Sequence, residues 1–177
     1  MTTLAAAIHR PQTDEYNPYY EQYISLVKTD DIVGSLQKQA QETRDLLGKV
    51  SAEKAEFRYA PDKWSVKEVL GHINDTERIM SYRVLRIARG DQTPIEGFEQ
   101  DDYIASGKFG QRTVGDLLQE FLTIRNATIE LIRHLDAETS ERRGTANNKP
   151  ISARAMVYVI AGHELHHRKI LQEKYLK

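Results

Sequence analysis

Residues 161–167 read AGHELHH, which places three histidines and a glutamate within five positions. Spelled H-E-x-x-H, this is the zinc-protease motif, with His163 and His167 as ligands and Glu164 as the base. A protease of that kind needs a third ligand downstream. Only ten residues follow His167, Glu173 is too near on the same helix, and no H-E-x-x-H-x-x-G-x-x-H continuation exists. What survives is a looser chemistry: two imidazoles one helical turn apart, suited to a divalent metal. The chain has no cysteine, so any metal must be held by His, Asp or Glu.

Helical spacing says where these rings point. Met156, Ile160, His163, His167 and Leu171 fall on one line, so both histidines replace apolar residues on an inward face. A second segment repeats the pattern, with His72 beside Ile73 and between Val69 and Thr76. Three imidazoles aimed at one interior are costly unless bonded to something. The plainer reading is a set of core histidines bonded to carbonyls or carboxylates, which explains one such residue more easily than three. His166 lies about 60° from His163 on the side away from His167, so an i, i+3 pair is geometrically open; the stripe favours His167. His9 and His134 have no comparable context. Glycine precedes both inward histidines, at Gly71 and Gly162, although it weakens a helix by about 1 kcal/mol. Close approach of the two histidine-bearing backbones would be a reason.

Four long segments with helical periodicity must position these residues, and no stretch shows convincing strand alternation. The first runs from about Asp31 to Val50, with Leu36, Ala40, Leu47 and Val50 on its stripe. Ser65 and Glu68 form a capping box that starts the second, which ends at Gly90. The third opens at Thr113 and reaches Leu135; the fourth follows Pro150, with Ser152 as cap. Four helices of about 30 Å fit a four-helix bundle. Residues 48–64 and 137–151 read as polar links. The segment 90–112 is longer than a compact bundle needs, and Phe98, Tyr103 and Phe109 within it argue against disorder. The N-terminal extension 1–28 is tyrosine-rich and is expected to pack on the bundle or on a second subunit.

With 177 residues the chain reads as one domain, and its net charge of −1 gives no reason to expect nucleic acid or an anionic membrane as partner. The start is too weakly apolar for a signal peptide, and no run is long enough for a membrane span, so a cytoplasmic protein is expected.

KWSVKEVLGHINDTERIMSYRVLRIARG, GFEQDDYI and MVYVIAGHELHHRKILQEKY, taken in order over roughly Tyr23 to Leu176, resemble the DinB-like (YfiT-like) family of metalloenzymes. The resemblance implies an all-α four-helix bundle in up-down-down-up order, commonly a homodimer. It implies a metal, zinc or nickel, held by one His of the second helix and an H-x-x-x-H pair of the last, here His72, His163 and His167. Relatives transfer low-molecular-weight bacterial thiols such as bacillithiol or mycothiol, or isomerise maleylpyruvate with mycothiol. Many others are regarded as metal-dependent hydrolases. Thiol transfer to a small electrophile is therefore the leading expectation, hydrolysis of a small molecule the alternative, and a non-catalytic metal- or ligand-binding bundle the competing class.

Helper residues follow from placement. Glu164 is a base or a carboxylate behind the metal ligands. Arg83 lies three turns after His72 on a similar face, and Arg125 interrupts the inward stripe of the third helix. An inward arginine needs a carboxylate or an anionic ligand, and pairing with Asp or Glu is the default. Asp101, Asp102 and Tyr103 are placed to close over the metal, or are simply solvated. A structural metal would require a fourth protein ligand, for which His166, Glu164 and Asp75 are available.

Overall fold

The computed structural model describes residues 8–177. The first seven residues, including much of the segment weighed as a signal peptide and the start of the 1–28 extension, lie outside the described residues. In chain order the helices are α1 (Glu21–Ile24), α2 (Ile32–Leu47), α3 (Ala52–Ala55), α4 (Val66–Ala88), α5 (Gln100–Gly107), α6 (Val114–Ile132), α7 (Ala137–Glu141) and α8 (Ala153–Ile170). Short 3-10 turns occupy Thr13–Glu15, Pro18–Tyr20 and Phe109–Gln111, and α8 continues into a π turn over Leu171–Tyr175.

The four long helices begin where the sequence marks them. Asp31 accepts from the Gly34 amide, Ser65 and Glu68 close a reciprocal capping box, Thr113 accepts from Asp116, and Ser152 accepts from Ala155. Each cap satisfies an amide that the first turn would leave unpaired.

Two apolar clusters fill the bundle. One takes Leu36 from α2, Val84 and Ile87 from α4, Ile129 and Ile132 from α6, and Met156 and Ile160 from α8. The other takes Leu47, then Val69 and Ile73, then Leu117, Leu118 and Phe121, then Leu171 and Tyr175. Following each helix from one cluster to the other gives its direction: α2 and α8 run one way, α4 and α6 the other. That is the up-down-down-up order. It makes α4 and α6 parallel neighbours, and a parallel pair needs a connection that returns the length of the bundle. The long segment between them is that return.

The segment is ordered by its own packing, as its aromatics suggested. Phe109 is buried, with its ring against Gly71 on one side and Gly107 on the other; a Cβ on either glycine would lie 2.4 Å from it. A Cβ on Gly162 would lie 2.1 Å from the Tyr23 carbonyl oxygen. Both histidine-side glycines thus serve close approach, but not of the two histidine-bearing backbones to each other. Gly71 admits an aromatic ring from the return segment, and Gly162 admits the backbone of α1.

Two expected links contain more structure than their sequence suggested. Residues 48–64 include α3. Residues 137–151 include α7 and most of a hairpin, β1 (Arg143–Ala146) paired antiparallel with β2 (Lys149–Ser152), which corrects the expectation of no strands. Asn147 and Asn148 at its tip have φ of 50° and 59°. Both signs suit a tight hairpin turn, and asparagine tolerates them. Ile95 of the return segment bonds to this hairpin through Thr145 and Asn147 at 2.9 and 2.8 Å. The described part of the N-terminal extension, from residue 8 onward, lies against the bundle. Glu15 accepts from Ser152 Oγ at 2.6 Å and from Arg154 Nε at 2.8 Å, and α1 lies along α8.

Candidate metal centre

Between the two apolar clusters every long helix turns polar. Gln39 and Thr43 come from α2, His72, Thr76 and Glu77 from α4, Arg125 and Thr128 from α6, and His163 and Glu164 from α8; all are buried. On the α4–α8 side this layer becomes a histidine cluster. His72, His163 and His167 offer ligand atoms all within 4.8 Å of one another, and among the described residues they form the one such group of three or more. The Nε2 atoms of His72 and His163 are 3.1 Å apart. Three nitrogens at about 2.0–2.1 Å from a tetrahedral ion stand roughly 3.3–3.4 Å from one another. The cluster is therefore at the right scale for a divalent ion, with rotamer adjustment of the third ring.

The protonation states fit as well. Burial lowers His72 to about 4. His163 and His167 are pushed well below the ordinary imidazole range, first by burial and then by the neighbouring rings. All three are neutral at pH 7 and can offer lone pairs, which is the form a metal requires. His72 Nδ1 lies 3.4 Å from Thr76 Oγ1, so a proton on Nδ1 leaves Nε2 facing the other two rings. Aromatic walls hold the rings: Trp64 packs 4.8 Å from His72, and Tyr23 packs 5.4 Å from His163.

The cluster separates two clefts. One, of about 240 Å³, is lined by His72, Thr76, Met80, Arg83 and His163 together with Tyr19, Tyr20 and Tyr23, Phe98, Glu99, Gln100 and Asn147. The other, of about 380 Å³, is lined by His167, Asp101, Trp64, Val69, Tyr59, Asp62, Lys63, Ile170 and Tyr175. The return segment thus reaches both, with Phe98 and Glu99 in the first and Asp101 in the second.

The other expected residues divide clearly. Glu164 is turned away from the cluster toward α2, where it accepts from Thr43 and lies 3.8 Å from Arg168. Burial raises its pKa against the pull of Arg125 and Arg168. Arg125 takes the default of a buried pair: its Nε and Nη2 each donate to Glu77 at 2.8 Å. Arg83 does not. Asp101, though exposed, lines the second cleft; Asp102 is exposed and lines neither cleft, and Tyr103 packs against Phe98 at the surface. Asp75 sits 3.8 Å from Arg78, and His166 packs on Tyr23. Neither belongs to the cluster of ligand atoms, and His9 and His134 are exposed.

Sequence reasoning missed the tyrosines of the first cleft and Asn147. The tyrosine run was visible, but nothing in it said which helix it would cover. The Asn147-Asn148 pair was a turn signal passed over in a stretch read as a link.

A family model for the DinB superfamily matches residues 35–171. None of the curated proteins matches. Among solved structures, the fold is similar to that of YfiT from Bacillus subtilis, with a TM-score of 0.75 and 14% identity over 97% of this chain and 95% of that one. That protein is described as a probable metal-dependent hydrolase with an unusual four-helix bundle topology. With the family model spanning α2 through α8 and the bundle order now established, the chain belongs to the DinB superfamily.

Proposed function

We propose that this protein is a metal-dependent enzyme that transfers a low-molecular-weight thiol to a small electrophile, with a divalent ion, zinc or nickel, held by His72, His163 and His167. The observation that carries the reading is the position of the three imidazoles between two clefts. A reaction that joins two molecules needs two binding spaces meeting at one point, and hydrolysis needs only one besides water. A three-nitrogen site that leaves coordination open supplies Lewis acidity, which favours ionisation of a thiol or of water near neutral pH.

The chain's own residues do the rest. The aromatic walls Trp64 and Tyr23 keep the imidazoles in place. Tyr20 and Tyr23 are neutral phenols at pH 7, as an ordinary tyrosine is, and burial only raises their pKa values further; both serve as hydrogen-bond donors to a bound molecule. Of the two carboxylates at the second cleft, Asp62 pairs with Lys63, and Asp101, whose charge acts on His72, takes the proton released from the thiol. The absence of cysteine fits a sulfur that arrives with the cosubstrate.

The test begins with metal analysis of protein purified without chelators, beside the His163→Ala/His167→Ala variant. About one equivalent of metal per chain is expected in the wild type and none in a folded variant. Thiols are then screened against electrophiles. Turnover that requires both substrates and is lost in the variant supports transfer; turnover unchanged in the variant ends the reading.

The likeness to YfiT favours a second reading, metal-dependent hydrolysis of a small molecule, with Asp101 as base for water. Consumption of an ester or amide substrate at a rate independent of added thiol would select it.

A further inference from the structure

We infer that Arg83 is an anion-binding residue of the first cleft, and that the molecule taken there carries a carboxylate or phosphoryl group at the end remote from the histidines. This deepens the proposed function by naming a substrate class, and it rests on the first cleft being a substrate space.

Arg83 is 3% exposed, yet among the described residues no carboxylate lies within ion-pair distance of it. Its Nη2 donates to the Glu96 carbonyl at 2.7 Å, and its Nε is buried with no partner among the described residues. Burial pulls its pKa down, with the Tyr20 phenol as the main opposing influence. A buried guanidinium that is always charged and only partly bonded is costly. Holding one backbone carbonyl of the return segment needs a donor, not a permanent cation.

Placement supplies the rest. Arg83 follows His72 on α4 by eleven residues, which is nearly the same face, about 16 Å further along the axis. Helical side chains lean toward the N-terminus, so the guanidinium leans back toward the histidines, and both residues line one cleft. A cleft of about 240 Å³ takes a small molecule, with its reactive end at the imidazoles and its anionic end at Arg83. The Tyr20 phenol lies beside the guanidinium, and Tyr19 and Asn147 add further polar atoms to the same cleft. Among the described residues Glu99 is the one carboxylate along this cleft; it is exposed and makes no ion pair with Arg83.

The experiment is calorimetric titration of the full-length protein, as purified, with succinate, inorganic phosphate and neutral succinamide. The wild type should bind at least one of the two anions at least tenfold more tightly than succinamide. The anion that binds more tightly identifies the group as carboxylate or phosphoryl. Arg83→Met should lose at least tenfold in anion affinity while keeping its metal content, and Arg83→Lys should retain part of it. Equal anion affinity in Arg83→Met, or no preference of the wild type for either anion over succinamide, would overturn the inference. Should Arg83→Met not fold, the succinamide comparison in the wild type and the Arg83→Lys affinity still decide. None of these readouts needs turnover, so a failed thiol-transfer assay leaves the anion result standing, and the reverse also holds.

Discussion

Arg125 and Arg83 are both buried arginines on long helices of one bundle, and they are treated oppositely. Arg125 is completely buried and fully engaged: two nitrogens on Glu77, a third on the Leu36 carbonyl and Gln39. Among the described residues Arg83 has one backbone carbonyl, and its Nε is left unpartnered beside a cleft. The first arrangement closes the polar layer from within. The second leaves it open on the side where the histidines and the tyrosines gather. A satisfied buried charge is a structural element, and an unsatisfied one beside a cavity is a binding element.

The comparison breaks most readily at the closed side. Glu77→Ala would strand Arg125 as a buried uncompensated charge, and denaturant unfolding should show a loss of about 3–5 kcal/mol. A loss below about 1 kcal/mol would mean that the layer is not the fixed element described here. Acid titration probes the histidine side. Because His72 falls to about 4 in the fold against 6.5 in the unfolded chain, the unfolded state binds the extra proton first. Stability of the metal-free protein should therefore drop as pH falls from about 6.5 to about 4, by on the order of 1–3 kcal/mol for this ring, with His163 and His167 adding in the same direction. Flat stability across that window would show the cluster to be hydrated and open. The smallest effect belongs to Arg83. Its replacement by Met removes an underpaired charge, so thermal unfolding should shift by no more than about 1 kcal/mol in either direction. A loss as large as that for Glu77→Ala would place Arg83 with the structural arginines.

Much of this site was legible before any coordinates. The stripe Met156, Ile160, His163, His167, Leu171 follows from helical geometry, and the structure turns those histidines toward His72 as that geometry requires. Arg125 was legible too, since an inward cation demands a partner and Glu77 supplies it. The partners of the two glycines were not. Gly71 and Gly162 signalled close approach, yet the neighbour is a phenylalanine ring in one case and the α1 backbone in the other. Glu164 shows the same limit: its sequence position beside two histidines suggested a shared site, but one residue along a helix is about 100° of rotation, enough to face it to α2 instead.

What the sequence by itself determined was local and periodic. Caps, helix lengths and the inward registration of three imidazoles depend on neighbours within a turn or two, and short-range sterics and hydrogen bonding specify them. Which surfaces those helices show one another depends on contacts far apart in the chain. The return of the α4–α6 segment across the bundle, the tyrosines laid over α8, and the Asn147 turn brought beside Phe98 were decided only by tertiary structure. So was the contrast between the two arginines. Both are long cations at inward helical positions, and only packing put a carboxylate in front of one and a cleft in front of the other.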